Sequence, residues 1–324
     1  MKFGIIGLGN HAIKRIMPAI KVSHNQISSI YSRSKKKAED QALLYGSIAY
    51  DDLKDVLASD VDAFYIASPN ALHFDHARLA LENGKHVLLE KPMTLTYSDA
   101  TTLTRLAEKE DLALGVGFHL RLHPAVEEVK KALDAGVIGN ITLIEAAWTG
   151  YSGGVKRTGD SSWWEDPELV GGGSIMGTGV HVMDCLNNLM RSYPDRISSI
   201  RSPHGEVIDI TSSINIQYGA TIALAVSSRN VFLPENSLKI FGNEGSIEAS
   251  NLFTTEINSV LNINGKRHRF SSGNIYRKEI DAFVDLVENR HTFIARGVDG
   301  AAVVRMTEGA IQSDMSGRTV ELEF

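Results

Sequence analysis

Gly4-Ile5-Ile6-Gly7-Leu8-Gly9-Asn10-His11-Ala12 stands almost at the start of the chain and decides how the rest is read. Residues 2–6 form a short apolar run, as a strand buried on both faces requires. Gly7-x-Gly9-x-x-Ala12 follows it directly. In such a turn the first glycine permits the tight bend. The second lets a pyrophosphate approach the backbone, and the small third residue lets the next helix pack close to the strand. That helix offers its first N–H groups to phosphate oxygens. Gly7, Leu8, Gly9, Asn10, His11 and Ala12 are therefore the first candidate cofactor-binding residues.

Outward from this turn, strand and helix signals alternate as far as residue 118. Apolar runs at 27–31, 63–67, 86–89 and 112–116 read as further strands. A helix is expected to start at Asn70, as its N-cap, and to stop at Asn83-Gly84. Another runs from Ser98-Asp99 to Glu110. This rhythm predicts an α/β fold, a Rossmann-type doubly wound parallel sheet over residues 1–118. Beyond 118 the period changes. A helix is expected from Pro124 to Ala135-Gly136. Strand-like runs follow at 141–148, 208–218, 221–227, 238–241 and 261–263, separated by turn signals such as Asn264-Gly265. Tyr276, Ile280, Phe283, Val284 and Val287 repeat at helical spacing, and a helix at 300–314 and a strand at 319–324 close the chain. Residues 119–324 are thus expected to form an α+β domain with a large, mostly antiparallel open sheet.

Composition bounds the function. The chain has 324 residues, 43% hydrophobic and 22% charged, which is the balance of a globular protein with a large core. A net charge of −6 weighs against nucleic acid or an anionic membrane as a partner. Cys185 is the single cysteine, so neither an internal disulfide nor a Cys-rich zinc module is available. The histidines are scattered, and no metal constellation is expected. No apolar run approaches the ~20 residues of a membrane span, and the apolar start is too short for a signal peptide. A cytoplasmic location is the expectation.

The second strand run ends Ile30-Tyr31-Ser32-Arg33, with no acid at its tip. A carboxylate there would bind a ribose 2′-hydroxyl and repel a 2′-phosphate. Serine and arginine instead suit the phosphate, arginine through its fixed donor fork. Ser32 and Arg33 therefore predict NADP in preference to NAD. Lys35 to Lys37 read as the solvated start of a helix.

Later motifs add a resemblance. Ser68-Pro69-Asn70 with His73, and Gly84-Lys85-His86-Val87-Leu88-Leu89-Glu90-Lys91-Pro92, follow successive strands. Trp163, Gly171-Gly172-Gly173 and Gly179-Val180-His181-Val182-Met183-Asp184 come in order after them. Together with the glycine turn these resemble the glucose–fructose oxidoreductase / inositol dehydrogenase family of NAD(P)-dependent sugar oxidoreductases, across essentially the whole chain. The resemblance implies that Ser68, Pro69, Asn70, His73, Glu90 and Lys91 serve the cofactor. It implies that Lys91 also reaches the substrate, and that His181 is the proton donor or acceptor. A forming alkoxide needs a proton, histidine titrates near neutrality, and an ammonium stabilises the charge. Gly177 departs from the pattern, because many relatives carry aspartate there, and Trp164 stands where many carry arginine. Both departures bear on the substrate.

His119 and Arg121, between a strand and Pro124, are candidate substrate contacts. Tyr151, Trp163 and Trp164 are aromatic faces of the kind that stack on sugars. Asp184 shares a helical face with His181 and either orients it or makes a structural pair. The loop from 151 to 168 is expected to supply the sugar pocket. The leading expectation is an NADP-dependent enzyme that interconverts a hydroxyl and a carbonyl on a sugar, keto-sugar or polyol. An NAD-dependent glycosidase of similar fold is the runner-up, disfavoured by Ser32-Arg33. A non-catalytic dinucleotide sensor is the third reading, disfavoured by Lys91 and His181. A homodimer or homotetramer through the open sheet face is expected.

Overall fold

The computed structural model describes residues 1–152, 157–289 and 293–324, apart from the side chain of Asp160. Its strands, in chain order, are β1 (Lys2–Ile6), β2 (Gln26–Tyr31), β3 (Ile48–Tyr50), β4 (Ala63–Ile66), β5 (His86–Leu89), β6 (Leu114–Val116), β7 (Ile141–Thr149), β8 (Arg196–Ser202), β9 (Thr211–Tyr218), β10 (Thr221–Ser228), β11 (Asn236–Gly242), β12 (Ser246–Ser250), β13 (Ser259–Ile263), β14 (Lys266–Phe270), β15 (Ala295–Arg296) and β16 (Val320–Glu321). They form two sheets, and the chain falls into two compact units, each holding one of them.

The first unit comprises Met1–His119, Thr158–Trp163 and Tyr276–Ala301. Its sheet has the order β15-β6-β5-β4-β1-β2-β3. β1 to β6 are parallel, and β15 adds antiparallel to β6. The central strands are apolar because helices cover both faces: Phe3, Ile5, Ile6, Phe64, Tyr65, Val87 and Leu88 are fully buried. The chain runs outward from β1 to β3, then returns to the other side of β1 as β4. The strand order therefore reverses between β1 and β4, and the crevice beyond their carboxyl ends is the place where open α/β sheets bind ligands.

The second unit comprises Leu120–Arg157, Trp164–Ile275 and Ala302–Phe324. Its nine-stranded sheet has the order β14-β13-β12-β11-β7-β10-β9-β8-β16. All neighbours are antiparallel except β7 and β10, which run parallel. Helix Val180–Met190 packs on β10 and β7. The sheet face it covers is apolar and buried, including Ile214, Ile216, Ala223 and Ala225. Side chains alternating with these point the other way, and there Ile200, Ile222 and Leu224 are 77%, 48% and 36% exposed.

Local differences from the sequence reading have physical causes. Asn70 does not cap the following helix. It opens a 3₁₀ turn, Asn70–Leu72, and helix His73–Glu82 starts after it without a side-chain cap. Thr96, rather than a residue near Ser98, caps helix Tyr97–Lys109 by accepting from the Asp99 N–H. β8, β12 and β14 were not apparent in the sequence, because charged and polar residues break their apolar runs. The run at 208–218 becomes a strand only from Thr211. Among the described residues no helix is long and apolar enough to cross a membrane.

Candidate active site

The glycine turn combines a crowded position with an open one. Gly7 has φ +96°, a conformation that L side chains rarely adopt. A Cβ on Gly7 would lie 2.6 Å from the carbonyl carbon and oxygen of Ala67 and 2.7 Å from the Ser68 nitrogen. The turn after β1 thus presses against the end of β4, and only glycine fits. A Cβ on Gly9 would meet nothing within 4 Å. Ala12, fully buried, seats the helical stretch that follows, Ala12–Ile16 continuing into Met17–Val22.

A groove of about 390 Å³ opens here, lined by Gly7, Leu8 and Gly9, by Ser68 and Pro69, and by Ser32 and Arg33. Lys37 lines it too, its ammonium 2.5 Å from the Leu8 carbonyl oxygen. The sequence reading left Lys37 among solvated lysines. Its side chain instead lies back over the glycine turn, from the first turn of helix Lys35–Tyr45. Among the described residues no Asp or Glu lines the groove. Trp163, read as a sugar platform, lies on the wall of this groove, in the first unit. His76, also missed, lines it with Nδ1 3.0 Å from Ser68 Oγ. Burial, then neighbouring His73, lowers the His76 pKa to about 4, so it stands neutral. Its spacing from His73 on one helix face was the readable signal.

Glu90 follows β5 and is used internally. It accepts from Tyr65 Oη at 2.5 Å and from the Lys91 N–H at 3.2 Å, and pairs with His11 Nε2 at 3.2 Å. Burial pushes its pKa up, but His11, Lys91 and Tyr65 outweigh burial and hold it at about 2. His11 in turn packs edge-on against Tyr276, with ring centroids 5.1 Å apart. Glu279 lies nearby, fully buried, its pKa pushed well up by burial and then by the Glu90 charge. His73 is buried between two loops, with Nδ1 2.7 Å from the Pro92 carbonyl and Nε2 2.9 Å from the Ser68 carbonyl. Glu90, His11 and His73 therefore shape the crevice and hold the Lys91 backbone. Asn70 is buried as well.

In the second unit, Gly171 ends helix Pro167–Val170 in the left-handed conformation, and Gly172-Gly173-Ser174 turns the chain into Ile175–Gly179 and then helix Val180–Met190. His181 is 4% exposed, its ring centroid 5.1 Å from that of Trp148 on β7. Trp148 stacks in turn on Phe253 at 6.1 Å. Asp184, one helical turn after His181, takes part in a structural pair. It accepts a bidentate fork from Arg121, with Nε 3.0 Å from both oxygens and Nη2 2.7 Å from Oδ1. The pair's side chains are 9% and 1% exposed. Arg121 and Asp184 thus form a buried ion pair that joins the segment before Pro124 to the helix of His181. A Cβ on Gly177 would meet nothing within 4 Å, so space is open where many relatives carry aspartate.

His119 is buried in the first unit, 5.3 Å from the Tyr276 ring, whereas Arg121 belongs to the second. Tyr151 is 57% exposed and meets Phe232 edge-on. Trp164 carries the Arg157 guanidinium 4.5 Å above its ring. Part of the loop read as the sugar pocket, 153–156, lies outside the described residues. Cys185 is buried, and burial pushes its thiol up to about 12, so it packs and does not react.

Comparison with known proteins agrees with this arrangement. Residues 1–118 match the oxidoreductase family with an NAD-binding Rossmann fold, and residues 126–248 match the GFO/IDH/MocA C-terminal domain. A D-xylose 1-dehydrogenase [NADP(+)] of Haloarcula marismortui is 27% identical, covering 78% of this chain and 73% of its own. A dTDP-3,4-didehydro-2,6-dideoxy-alpha-D-glucose 3-reductase of Streptomyces violaceoruber is 30% identical, covering 76% and 72%. The WlbA dehydrogenase of Bordetella pertussis, solved with NADH and UDP-GlcNAcA, superposes with a TM-score of 0.87 at 18% identity, covering 100% of this chain and 98% of that one. These matches favour neither a glycosidase nor a non-catalytic sensor. With a Rossmann sheet, a glycine-turn groove at its switch point and a second, mostly antiparallel sheet, this chain belongs to the GFO/IDH/MocA family of NAD(P)-dependent oxidoreductases.

Proposed function

We propose that the chain is an NADP-dependent oxidoreductase that interconverts a hydroxyl and a carbonyl on a sugar, keto-sugar or polyol. The observation that carries the cofactor preference is the groove lining: Ser32, Arg33 and Lys37 all line it, and among the described residues no carboxylate does. Two cations and a hydroxyl suit a 2′-phosphate by charge-assisted bonds. The open space at Gly9 accommodates a pyrophosphate against the backbone, with the N–H groups of the following helix as donors. The nicotinamide, when bound, supplies or accepts the hydride. Lys91 stabilises negative charge on the reacting oxygen, and His181 gives or takes its proton. Glu90 and His73 act on Lys91 by fixing the backbone on either side of it. Arg121 and Asp184 serve the helix of His181 as a structural pair.

Sugars, polyols and keto-sugars, each offered with NADP(H) and NAD(H) and followed by absorbance of the reduced cofactor, test the reading. Turnover should be found with NADP(H) ahead of NAD(H), and a chain inert with every substrate would refute it. With a substrate in hand, His181→Asn should lower kcat by ~10²–10⁴ and remove an inflection from its pH profile. Retention of near-normal kcat would move the proton transfer to another group. The exposed Ile200, Ile222 and Leu224 favour a second copy of the chain against this sheet face. Light scattering at micromolar concentration should therefore report a dimer or tetramer, and a monomer would remove that part of the reading.

A further inference from the structure

Asp209 stands just before β9 and is 0% exposed, yet no motif drew attention to it. Its carboxylate meets four donors from two directions. Oδ1 accepts from the Gly173 N–H at 2.9 Å. Oδ2 accepts from the Ile175 N–H at 3.0 Å, from Ser212 Oγ at 2.8 Å, and from Ser174 Oγ. The Asp209 carbonyl takes the Ser174 N–H at 2.9 Å as well. A buried carboxylate is costly unless donors replace its water, and here they do.

The third glycine of the run exists for this contact. A Cβ on Gly173 would lie 1.8 Å from the Asp209 carbonyl oxygen and 2.7 Å from its nitrogen. Three of the four donors belong to residues 173–175, the first turn of the helical stretch that continues through Gly179 to His181. The negative charge thus sits at the positive end of that stretch, where it is stabilising. The same cluster reaches the other neighbour of His181. Ser174 Oγ lies 3.3 Å from both the carbonyl and the hydroxyl oxygen of Ser227 on β10. Ser227 is paired in register with Trp148, whose ring meets His181.

We infer that Asp209 is a positioning residue for His181: by tying residues 173–175 to β9 and, through Ser174, to β10, it sets where the imidazole stands against Trp148. The consequence for turnover rests on the proposed role of His181, but the placement of the ring does not.

The full chain carrying Asp209→Asn, His181→Asn, or both, tests the inference. Asparagine keeps the volume but turns an NH₂ group toward donors. The His181 ring signals are identified in the NMR spectrum by their loss in His181→Asn, and they report position through the ring current of Trp148. Asp209→Asn should shift these signals and lower kcat by about tenfold to a hundredfold, as misplacement of a reacting group does, with KM for the dinucleotide unchanged. In the His181→Asn background the second change should add nothing. Unmoved ring signals, or effects that simply multiply, would overturn the inference. If His181→Asn alone leaves kcat intact, the proton-transfer reading fails, and the ring signals still judge the positioning. Should Asp209→Asn not fold, Ser174→Ala and Ser212→Ala each remove one donor. Both should then shift the His181 signals in the same direction by less, and unshifted signals in both would overturn the inference.

Discussion

The two glycine-rich turns of the molecule are built alike and finished differently. Each leads into a helical stretch, and each holds a glycine against backbone that no Cβ could approach, Ala67 and Ser68 at Gly7 and Asp209 at Gly173. Both therefore present helix N–H groups, which attract anions. In the second unit the anion is the protein's own Asp209 carboxylate, bonded to that first turn. In the first unit the turn lines a groove of about 390 Å³ that Arg33 and Lys37 line too. One local device thus closes as a structural joint when the chain supplies the anion, and lines an open groove when it does not.

The contrast can be broken most severely at the crowded glycines. Gly173→Ala should cost about 3 kcal/mol of stability in denaturant unfolding, the upper range of overpacking in a core, whereas Gly9→Ala should leave unfolding unchanged. Gly9→Ala should instead weaken dinucleotide binding, by about tenfold or 1.4 kcal/mol. If Gly173→Ala unfolds like the wild type, the turn is not closed by Asp209 in the way described. If Gly9→Ala binds normally, the open side of the first turn is not where the pyrophosphate lies.

In the open groove, Arg33→Ala should weaken NADP(H) by ~1.5–3 kcal/mol, the loss of a charge-assisted bond, and leave NAD(H) nearly unaffected. Titration of each cofactor by quenching of protein fluorescence distinguishes the outcomes. Equal losses would mean that Arg33 does not read the 2′-phosphate.

The smallest expected effect concerns carboxyl groups and sharpens the same distinction between satisfied and unsatisfied anions. Glu90 has donors and is held at about 2, below its ordinary 4.5. Its contribution to stability is present above about pH 4.5 and is lost as the pH falls toward 2. Glu279 is buried with its Oε1 unbonded among the described residues, and its pKa is raised well above 4.5. Its contribution has the opposite sign: fully present below 4.5 and lost as the pH rises through the raised value. Glu279→Gln cannot ionise. Its melting temperature relative to wild type should therefore climb between mildly acidic and alkaline pH. A constant difference would mean that Glu279 is not held protonated.

Much of the first unit was legible because its strands are covered on both faces and so must be apolar. The runs read at 2–6 and 86–89 are β1 and β5, and the glycine turn, Ser32, Arg33, Ser68 and Pro69 do line one groove. Covering a single sheet face leaves alternate positions polar, so β8, with its two arginines, and β14, reading Lys-Arg-His-Arg-Phe, left no apolar run to find. The sequence by itself thus determined the βαβ order, the glycine turn after β1 and the family. Partnerships between charged groups were decided only by the tertiary structure. Arg121 reaches Asp184 across 63 positions and Asp209 reaches Gly173 across 36, and Lys37 left its run of lysines to bond the Leu8 carbonyl. Likewise, helical spacing showed that residues 276–287 form a helix, but not that Tyr276–Ala301 would join the first unit and add β15 to its sheet. Backbone periodicity is a local property that burial imprints on neighbouring residues. A buried charge is satisfied by whichever donor the folded chain brings near, and no local pattern records that choice.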